Sequence, residues 1–161
     1  MKIVIALDSF KGSCSAQAAC AAVAQGLRRV DQTLELVEMP VSDGGEGLLS
    51  NADDHLRDAA LTIVGEGWLD RQSAFGKAPV GVAGKAARHG VPVVALCGGR
   101  DESSRQLYQH HIDAMWSICQ RPMALAESMN TCEPLLADAA ENVLRTFLSG
   151  WRGEAHKRIT V

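Results

Sequence analysis

The chain has 161 residues, enough for one globular domain that buries about 70% of the surface its unfolded form exposes. Apolar residues make up 47% of it and charged residues 22%, which excludes a disordered chain, a coiled coil and collagen. A net charge of −3 and an aromatic content of 4% argue against a nucleic-acid-binding protein and against attraction to an anionic membrane.

The sequence contains no predicted membrane span, because no apolar run approaches the ~20 residues that a bilayer requires. The apolar segment 1–7 is too short for a signal sequence and leads directly into Asp8. The cysteines are odd in number and form no Cys-x-x-Cys pair, which favours buried or half-buried free thiols over a metal or redox site. They are Cys14, Cys20, Cys97, Cys119 and Cys132. We therefore expect a cytoplasmic protein.

Short β-branched runs alternate along the chain with apolar residues at helical spacing. The runs predict five strands, at residues 2–7, 34–39, 61–64, 91–96 and 112–118. The apolar residues that recur every three or four positions predict helices over 16–30, 48–59, 79–90 and 103–111. A long closing helix follows Thr131, which is a candidate N-cap.

This alternation predicts the fold class. Connections of a dozen or more residues imply parallel strands, and right-handed crossovers place helices on both faces of the sheet. We expect an α/β fold, a five-stranded mostly parallel sheet in a flavodoxin-like or Rossmann-like three-layer sandwich with strand order 2-1-3-4-5. Residues 1–161 would form a single domain.

Polar residues and glycines follow the predicted strands, and ligands of such sheets bind where parallel strands end. The candidates after the first strand are Asp8, Ser9, Lys11 and Ser13, and those after the second are Asp43, Gly44, Gly45, Glu46 and Gly47. The third strand is followed by Gly65, Glu66, Gly67, Asp70, Gln72 and Ser73, and the fourth by Gly98, Gly99, Arg100 and Asp101. The fold would bring these turns to one edge.

The distribution of acidic residues indicates the same edge of the sheet. Residues 42–70 contain seven acidic residues and one basic residue, Arg57. Carboxylates at glycine turns are typical of Mg²⁺ held beside a phosphate, which makes Asp43 and Glu46 candidate metal ligands. Backbone N–H groups at the glycines could approach phosphate oxygens, and Lys11 could neutralise a transferred phosphoryl group.

Structural interpretations of the same residues stay open. The glycine pairs are also typical of ordinary turns, Asp8 is equally well explained as a helix cap, and Asp53 and Asp54 are explained as solvated surface. The segment ending at Gly76 and Lys77 lacks the spacing of a phosphate-binding loop.

Three motifs in order give the sequence a resemblance to the bacterial glycerate kinase family. They are Asp8-Ser9-Phe10-Lys11-Gly12-Ser13, then Asp43-Gly44-Gly45-Glu46-Gly47, then a segment from Gly65-Glu66-Gly67 through Asp70, Gln72, Ser73, Gly76, Lys77, Pro79 and Gly81 to Val82-Ala83. The resemblance covers nearly the whole chain and weakens after about Gly99.

The resemblance implies phosphorylation of D-glycerate from ATP with Mg²⁺, in a cleft between two α/β domains. It makes Asp8, Lys11, Asp43, Glu66 and Asp70 the candidate catalytic residues on this side of the cleft, without fixing the role of each. It implies ligand-binding positions at Ser9, Ser13, Gly44, Gly45, Glu46, Gly47, Gly65, Gly67 and Gln72.

The sequence departs from the family pattern in length. Residues 1–49 and about 53–161 resemble the two segments of the family's discontinuous domain, and the large domain inserted between them is missing. Leu7, Leu48, Val64 and Trp68 also stand where the family pattern has proline, threonine, threonine and a polar residue. Half of the expected cleft is therefore absent, which predicts little or no unaided turnover.

Two other interpretations stay open. The chain could be a non-catalytic domain, shortened naturally or by design, that binds phosphate or a partner. It could also be an unrelated flavodoxin-like binding or signalling module.

Overall fold

The computed structural model describes residues 1–41, 52–75 and 78–159, with side chains to residue 150. The strands are β1 (Lys2–Leu7), β2 (Glu35–Glu38), β3 (Leu61–Leu69), β4 (Val93–Arg100) and β5 (Ala114–Ser117). The α-helices are α1 (Ala16–Val30), α2 (Ala52–Leu56), α3 (Ala78–Arg88), α4 (Leu125–Asn130) and α5 (Cys132–Ile159). Two 3₁₀ helices cover Arg71–Ala74 and Glu102–His110.

The five strands form one sheet in the order β2-β1-β3-β4-β5, as predicted. Each of the four strand pairs is parallel, so the expected mostly parallel sheet is parallel in all its described pairs. In a parallel sheet all carboxyl ends lie at one edge. The ends of β1, β3 and β4 therefore face the same side of the molecule.

Two apolar clusters cover the two faces of the sheet and make the fold three-layered. On one face Ile3 and Ile5 pack with the apolar stripes of α1 and α5, including Leu27 and Leu136. On the other face Val4 and Ala6 pack with α2, α3 and the second 3₁₀ helix. Alternate β1 side chains enter opposite clusters, as the two-residue period of a strand requires.

Strands β3 and β4 are longer than predicted, and the predicted turns at Gly65–Gly67 and Gly98–Gly99 are wrong. Gly65 pairs with Leu7 on one side and Leu96 on the other, and Trp68 pairs with Gly99. A Cβ on Gly65 would lie 2.3 Å from the Leu96 carbonyl oxygen, and one on Gly98 would lie 2.7 Å from that of Gly67. These glycines permit close strand contact within the sheet.

Thr131 directly precedes α5, and its carbonyl oxygen accepts the Leu135 N–H at 3.1 Å, which is the N-cap position that was predicted. Its hydroxyl donates to the Glu127 carbonyl oxygen at 2.8 Å, so the side chain also closes α4. The predicted helix over 103–111 is a 3₁₀ helix, ended by His111 with a φ of 65°. Among the described helices, none has the length and apolar character needed to cross a membrane.

Candidate functional site

A cavity of about 420 Å³ lies at the carboxyl edge of the sheet. Its polar wall comes from the segment after β1 and from the last residues of β3, and its apolar wall comes from α4 and the start of α5. The predicted site residues that line it are Asp8, Ser9, Lys11, Ser13, Glu66, Gly67, Asp70, Gly98 and Gly99. Residues more than 50 positions apart in sequence therefore meet in one cavity.

The segment after β1 is shaped by a tight turn. The Phe10 N–H donates to the Cys14 carbonyl oxygen at 3.0 Å, and the Cys14 N–H donates back to Phe10 at 3.1 Å. The Ser13 N–H also donates to Phe10, at 2.8 Å. Gly12, with a φ of 78°, makes the reversal. The turn holds Lys11 exposed at the cavity wall.

Five backbone N–H groups of this segment, those of Asp8, Ser9, Phe10, Ser13 and Cys14, are engaged within the protein. The Asp8 N–H donates to the Gly65 carbonyl oxygen at 2.8 Å, and the Ser9 N–H donates to Asp8 Oδ1. The side chains of this wall that can contact a phosphate are the Lys11 ammonium and the hydroxyls of Ser9 and Ser13.

Asp8 does not cap the first helix. The α1 N-cap is Ser15, whose hydroxyl accepts from the Ala18 N–H at 3.1 Å. Asp8 Oδ1 instead accepts from the N–H and, at 3.2 Å, the hydroxyl of Ser9. The carboxylate is thereby oriented at the cavity wall.

Asp70 has a clear structural role. Its Oδ1 accepts from the N–H groups of Gln72 at 2.8 Å and Ser73 at 3.2 Å, which caps the 3₁₀ helix Arg71–Ala74. The Ser73 hydroxyl accepts in return from the Asp70 N–H at 3.3 Å. Gln72, a predicted ligand-binding residue, is exposed and does not line the cavity.

The β3 candidates take different places. Glu66 is 7% exposed and reaches the cavity from within the strand. Gly67 also lines the cavity, whereas Gly65 lies between β1 and β4 without lining it. Sheet packing accounts for Gly65 without a ligand. The predicted residues Asp43, Gly44, Gly45, Glu46 and Gly47 lie outside the described residues.

Nowhere in the described part of the chain do three His, Cys, Asp or Glu side chains group closely enough to hold a metal ion. The candidate metal ligands Asp43 and Glu46 lie outside that part of the chain.

The sequence prediction missed the apolar side of the cavity, which includes Phe10, Trp68, Ile118 and four residues of α4 and α5. Those four are Leu125, Ser128, Met129 and Cys132. Their spacing of three, four and seven from Leu125 is that of one helical face, which was a usable signal. The Trp68 indole lies over Gly99, where a Cβ would be 2.5 Å from the ring, and the residue is 53% exposed.

Comparison with known proteins places this fold in a family. The model of the glycerate kinase family matches the chain in two segments, residues 3–55 and 48–148. The chain belongs to the glycerate kinase family. The two matched segments overlap near the boundary predicted from the sequence.

Several curated relatives are named as kinases of glycerate. A glycerate kinase of Halalkalibacterium halodurans is 38% identical over 63% of this chain and 26% of its own length. A glycerate kinase of Neisseria meningitidis serogroup B is 43% identical over 59% of this chain and 25% of its own. The glycerate 2-kinase of Escherichia coli is 33% identical over 63% and 27%. The chain therefore matches about a quarter of each relative.

A solved structure supports the fold. It is a Salmonella typhimurium LT2 protein provisionally assigned as glycerate kinase 2, which superposes with a TM-score of 0.72 over 94% of this chain and 99% of its own. At 14% identity this likeness concerns the fold alone.

Proposed function

We propose that this chain binds ATP and a small hydroxy acid, D-glycerate by family, as one side of a phosphoryl-transfer site, and that it turns them over negligibly by itself. The observation that carries the proposal is the cavity in which Lys11 lies with Asp8, Glu66 and Asp70 at the carboxyl edge of the sheet. A cation beside carboxylates is the arrangement that phosphoryl transfer to a hydroxyl uses.

The residues have distinct tasks in this proposal. Lys11 attracts the phosphates of ATP and stabilises the charge that develops on the transferred group. The Ser13 hydroxyl donates to a phosphate oxygen, and the Ser9 hydroxyl does so when it turns away from Asp8 Oδ1. A carboxylate of the cavity, Asp8 or Glu66, accepts the proton of the attacking hydroxyl. Asp70 shapes the wall through its cap of the 3₁₀ helix. Asp43 and Glu46 are the carboxylates that would hold Mg²⁺, which would neutralise phosphate charge, and the glycines around them would admit a phosphate.

Turnover needs more than this wall. In-line transfer requires two substrates held within ~3.5 Å of each other, and lost positioning costs ~7–11 kcal/mol of the barrier reduction. The chain matches about a quarter of the relatives. The two-segment family match supports the interpretation that residues 1–49 and about 53–161 correspond to one discontinuous domain without the intervening one. A cytoplasmic location belongs to the same proposal.

ATP binding to the purified chain tests the first half of this proposal. Lys11→Gln removes an exposed cation from the cavity wall, and Arg105→Gln removes one from an exposed position that does not line it. Losing a charge-assisted contact costs ~1.5–3 kcal/mol, so Lys11→Gln should weaken binding by about tenfold or more in calorimetry. Arg105→Gln should bind like the unaltered chain. Equal affinities for ATP in the unaltered chain and both variants would contradict the proposed binding site at Lys11.

Turnover is tested by coupled detection of ADP from D-glycerate, ATP and Mg²⁺. We expect no rate above background. A rate of roughly one per second or more, within the usual range for enzymes, that disappears in Asp43→Asn would make the chain an active kinase by itself.

A second function has one observation in its favour. Trp68 and Leu125 line the cavity yet are 53% and 75% exposed, which is typical of a surface that contacts a partner. A non-catalytic domain would bind such a partner in place of the substrates. It predicts that calorimetry detects no ATP binding, with the fold intact.

A further inference from the structure

Two cysteines from distant parts of the chain meet beside the cavity. Cys14 Sγ lies 3.3 Å from Cys132 Sγ, although the residues are 118 positions apart. Cys14 ends the tight turn that carries Lys11, and Cys132 is the first residue of α5. The contact between the two thiols therefore joins the polar wall of the cavity to its apolar wall.

Reagents can reach this pair. Cys14 is half-buried, and Cys132, although 4% exposed, lines the cavity. Cys20 and Cys97 are fully buried, and burial raises the pKa of their thiols to about 11 and about 12. These two are poor nucleophiles, because the thiolate is the reactive form.

The two thiols differ in exposure, since Cys14 is half-buried and Cys132 is 4% exposed. Their mutual hydrogen bond lowers the pKa of the Cys14 thiol and raises the pKa of Cys132, and burial raises the latter further. The more exposed Cys14 is therefore the attacking thiol and Cys132 the resolving one.

From this geometry we propose that Cys14 and Cys132 form a reversible disulfide when the protein meets a small-molecule disulfide such as oxidised glutathione. The sulfur atoms need to approach by about 1.2 Å to reach bonding distance. Disulfides inside cells are usually transient and redox-sensing, which fits a pair at the wall of a ligand cavity. This inference does not depend on the proposed kinase site.

The reaction balances as two exchanges. The Cys14 thiolate attacks one sulfur of the small disulfide, forms a mixed disulfide and releases one thiolate of the reagent. Cys132 loses its proton to solvent and attacks Cys14 Sγ, which expels the second reagent thiolate. The protein loses two electrons and two protons, and the reagent is reduced to two thiols.

The bond would join the segment after β1 to the start of α5. It would close a loop of more than 100 residues, and a loop of that size restricts the unfolded chain strongly. The expected rise in melting temperature is on the order of 10 °C. It would also fix the turn that presents Lys11.

Peptide mapping of the unaltered chain tests the proposal. The protein is incubated with oxidised or reduced glutathione, blocked with N-ethylmaleimide and digested with trypsin and Glu-C. The digest releases Cys132 in the peptide 128–141 and Cys119 in the peptide 106–127. Cys14 and Cys20 share the peptide 12–28, and fragmentation in the mass spectrometer shows which of them is linked. We expect 12–28 linked to 128–141 through Cys14, and free thiols falling from five to three.

Three variants complete the test. The rise in melting temperature under oxidised glutathione should disappear in Cys14→Ser and Cys132→Ser and persist in Cys119→Ser. Cys119 is the matched control, since it is also half-buried and its thiol donates to the Gly98 carbonyl oxygen at 3.4 Å. A stable glutathione adduct on Cys14, a Cys119–Cys132 link, or five free thiols after oxidation would each overturn the proposal. Peptide mapping uses the unaltered chain, so its result tests the proposal even if a variant folds poorly.

Discussion

At the scale of single residues, Gly12 decides how the segment after β1 meets the rest of the cavity. Its φ of 78° is in the left-handed region, and a Cβ there would lie 2.7 Å from the Met129 terminal methyl carbon in α4. Backbone conformation and packing both favour glycine, because only glycine has neither a Cβ penalty nor this contact. The position of Lys11 therefore depends on its neighbour.

We predict that Gly12→Ala lowers the free energy of unfolding by ~1–2 kcal/mol, from the left-handed φ and the displaced Met129 side chain. The matched control is Gly90→Ala, since Gly90 has a φ of 68° and open space around the missing Cβ. It should cost ~1 kcal/mol from backbone strain alone. Urea denaturation of the two variants measures the difference. A Gly12→Ala variant as stable as the unaltered chain would contradict this account.

Asp53 shows how a residue that looks like solvated surface in the sequence can join two helices. From α2 its carboxylate contacts Lys85 Nζ at 2.7 Å, Arg88 at 3.3 Å and His89 at 3.3 Å, at the end of α3. Hydrogen bonds from Lys85 and then His89 hold the pKa of Asp53 below its ordinary value of 3.8.

A depressed pKa stabilises the folded state while the carboxylate is charged. We expect Asp53→Asn to melt below the unaltered chain at neutral pH, with the gap fully present above pH 3.8 and closing as the pH falls below it. Calorimetric melting temperatures from about pH 7 to about pH 2.5 follow this gap. Asp54→Asn, on the same helix in an exposed pair with Arg57 at 3.7 Å, should change little at any pH. A difference in melting temperature that stays constant over the whole pH range would show that the ion pairs of Asp53 do not stabilise the fold.

At the scale of elements, α1 and α5 pack in close contact. A Cβ on Gly26 would lie 2.0 Å from the Ala137 carbonyl oxygen, so the two helices touch backbone to backbone. Leu27 and Leu136 pack in the same cluster. The small residue in α1 sets the spacing of one whole layer of the fold.

Gly26→Ala should therefore be severely destabilising, by at least ~2 kcal/mol, because the overlap is with backbone that cannot rotate away. Gly84→Ala provides the opposite control. Gly84 lies inside α3 with open space around its missing Cβ, so alanine should stabilise the helix by up to ~1 kcal/mol. Thermal melts of both would measure these effects, and a neutral Gly26→Ala would show that α5 does not pack this closely.

Sequence patterns predicted the type and order of the elements better than their ends. Strand β1 and helix α1 have the predicted bounds, because an uninterrupted apolar run and a regular stripe are local signals. The predicted ends of β3 and β4 were wrong because glycine in a sequence usually indicates a turn. In this sheet the glycines permit close contact with a neighbouring strand, and the identity of that strand is known only from the structure.

The same limit applies to the site. Asp8, Lys11 and Glu66 could be assigned to one edge from strand order alone. The apolar wall could not, since it depends on how α4 and the start of α5 fold back over that edge. The three-residue spacing from Leu125 to Ser128 indicates a helical face without indicating what that face covers.

At the scale of the whole molecule, both core clusters share one sheet, so neither can unfold without exposing the other face of the same strands. We predict a single cooperative transition for the isolated chain. Far-ultraviolet and near-ultraviolet circular dichroism should report the same midpoint. Two separate midpoints, or a gradual melt with dye-binding apolar surface, would show that the described fold is not stable alone.

The packing of α1 against α5 has a consequence for biosynthesis. Ala19, Val23 and Leu27 find their covering residues, such as Leu136 and Leu144, more than 100 positions later in the chain. At a synthesis rate of about 5–20 residues per second, that face of α1 stays uncovered for several seconds after it leaves the ribosome. During this interval the nascent chain presents an apolar helix to the cell, and chaperone demand should be set by this delay more than by the stability of the finished protein.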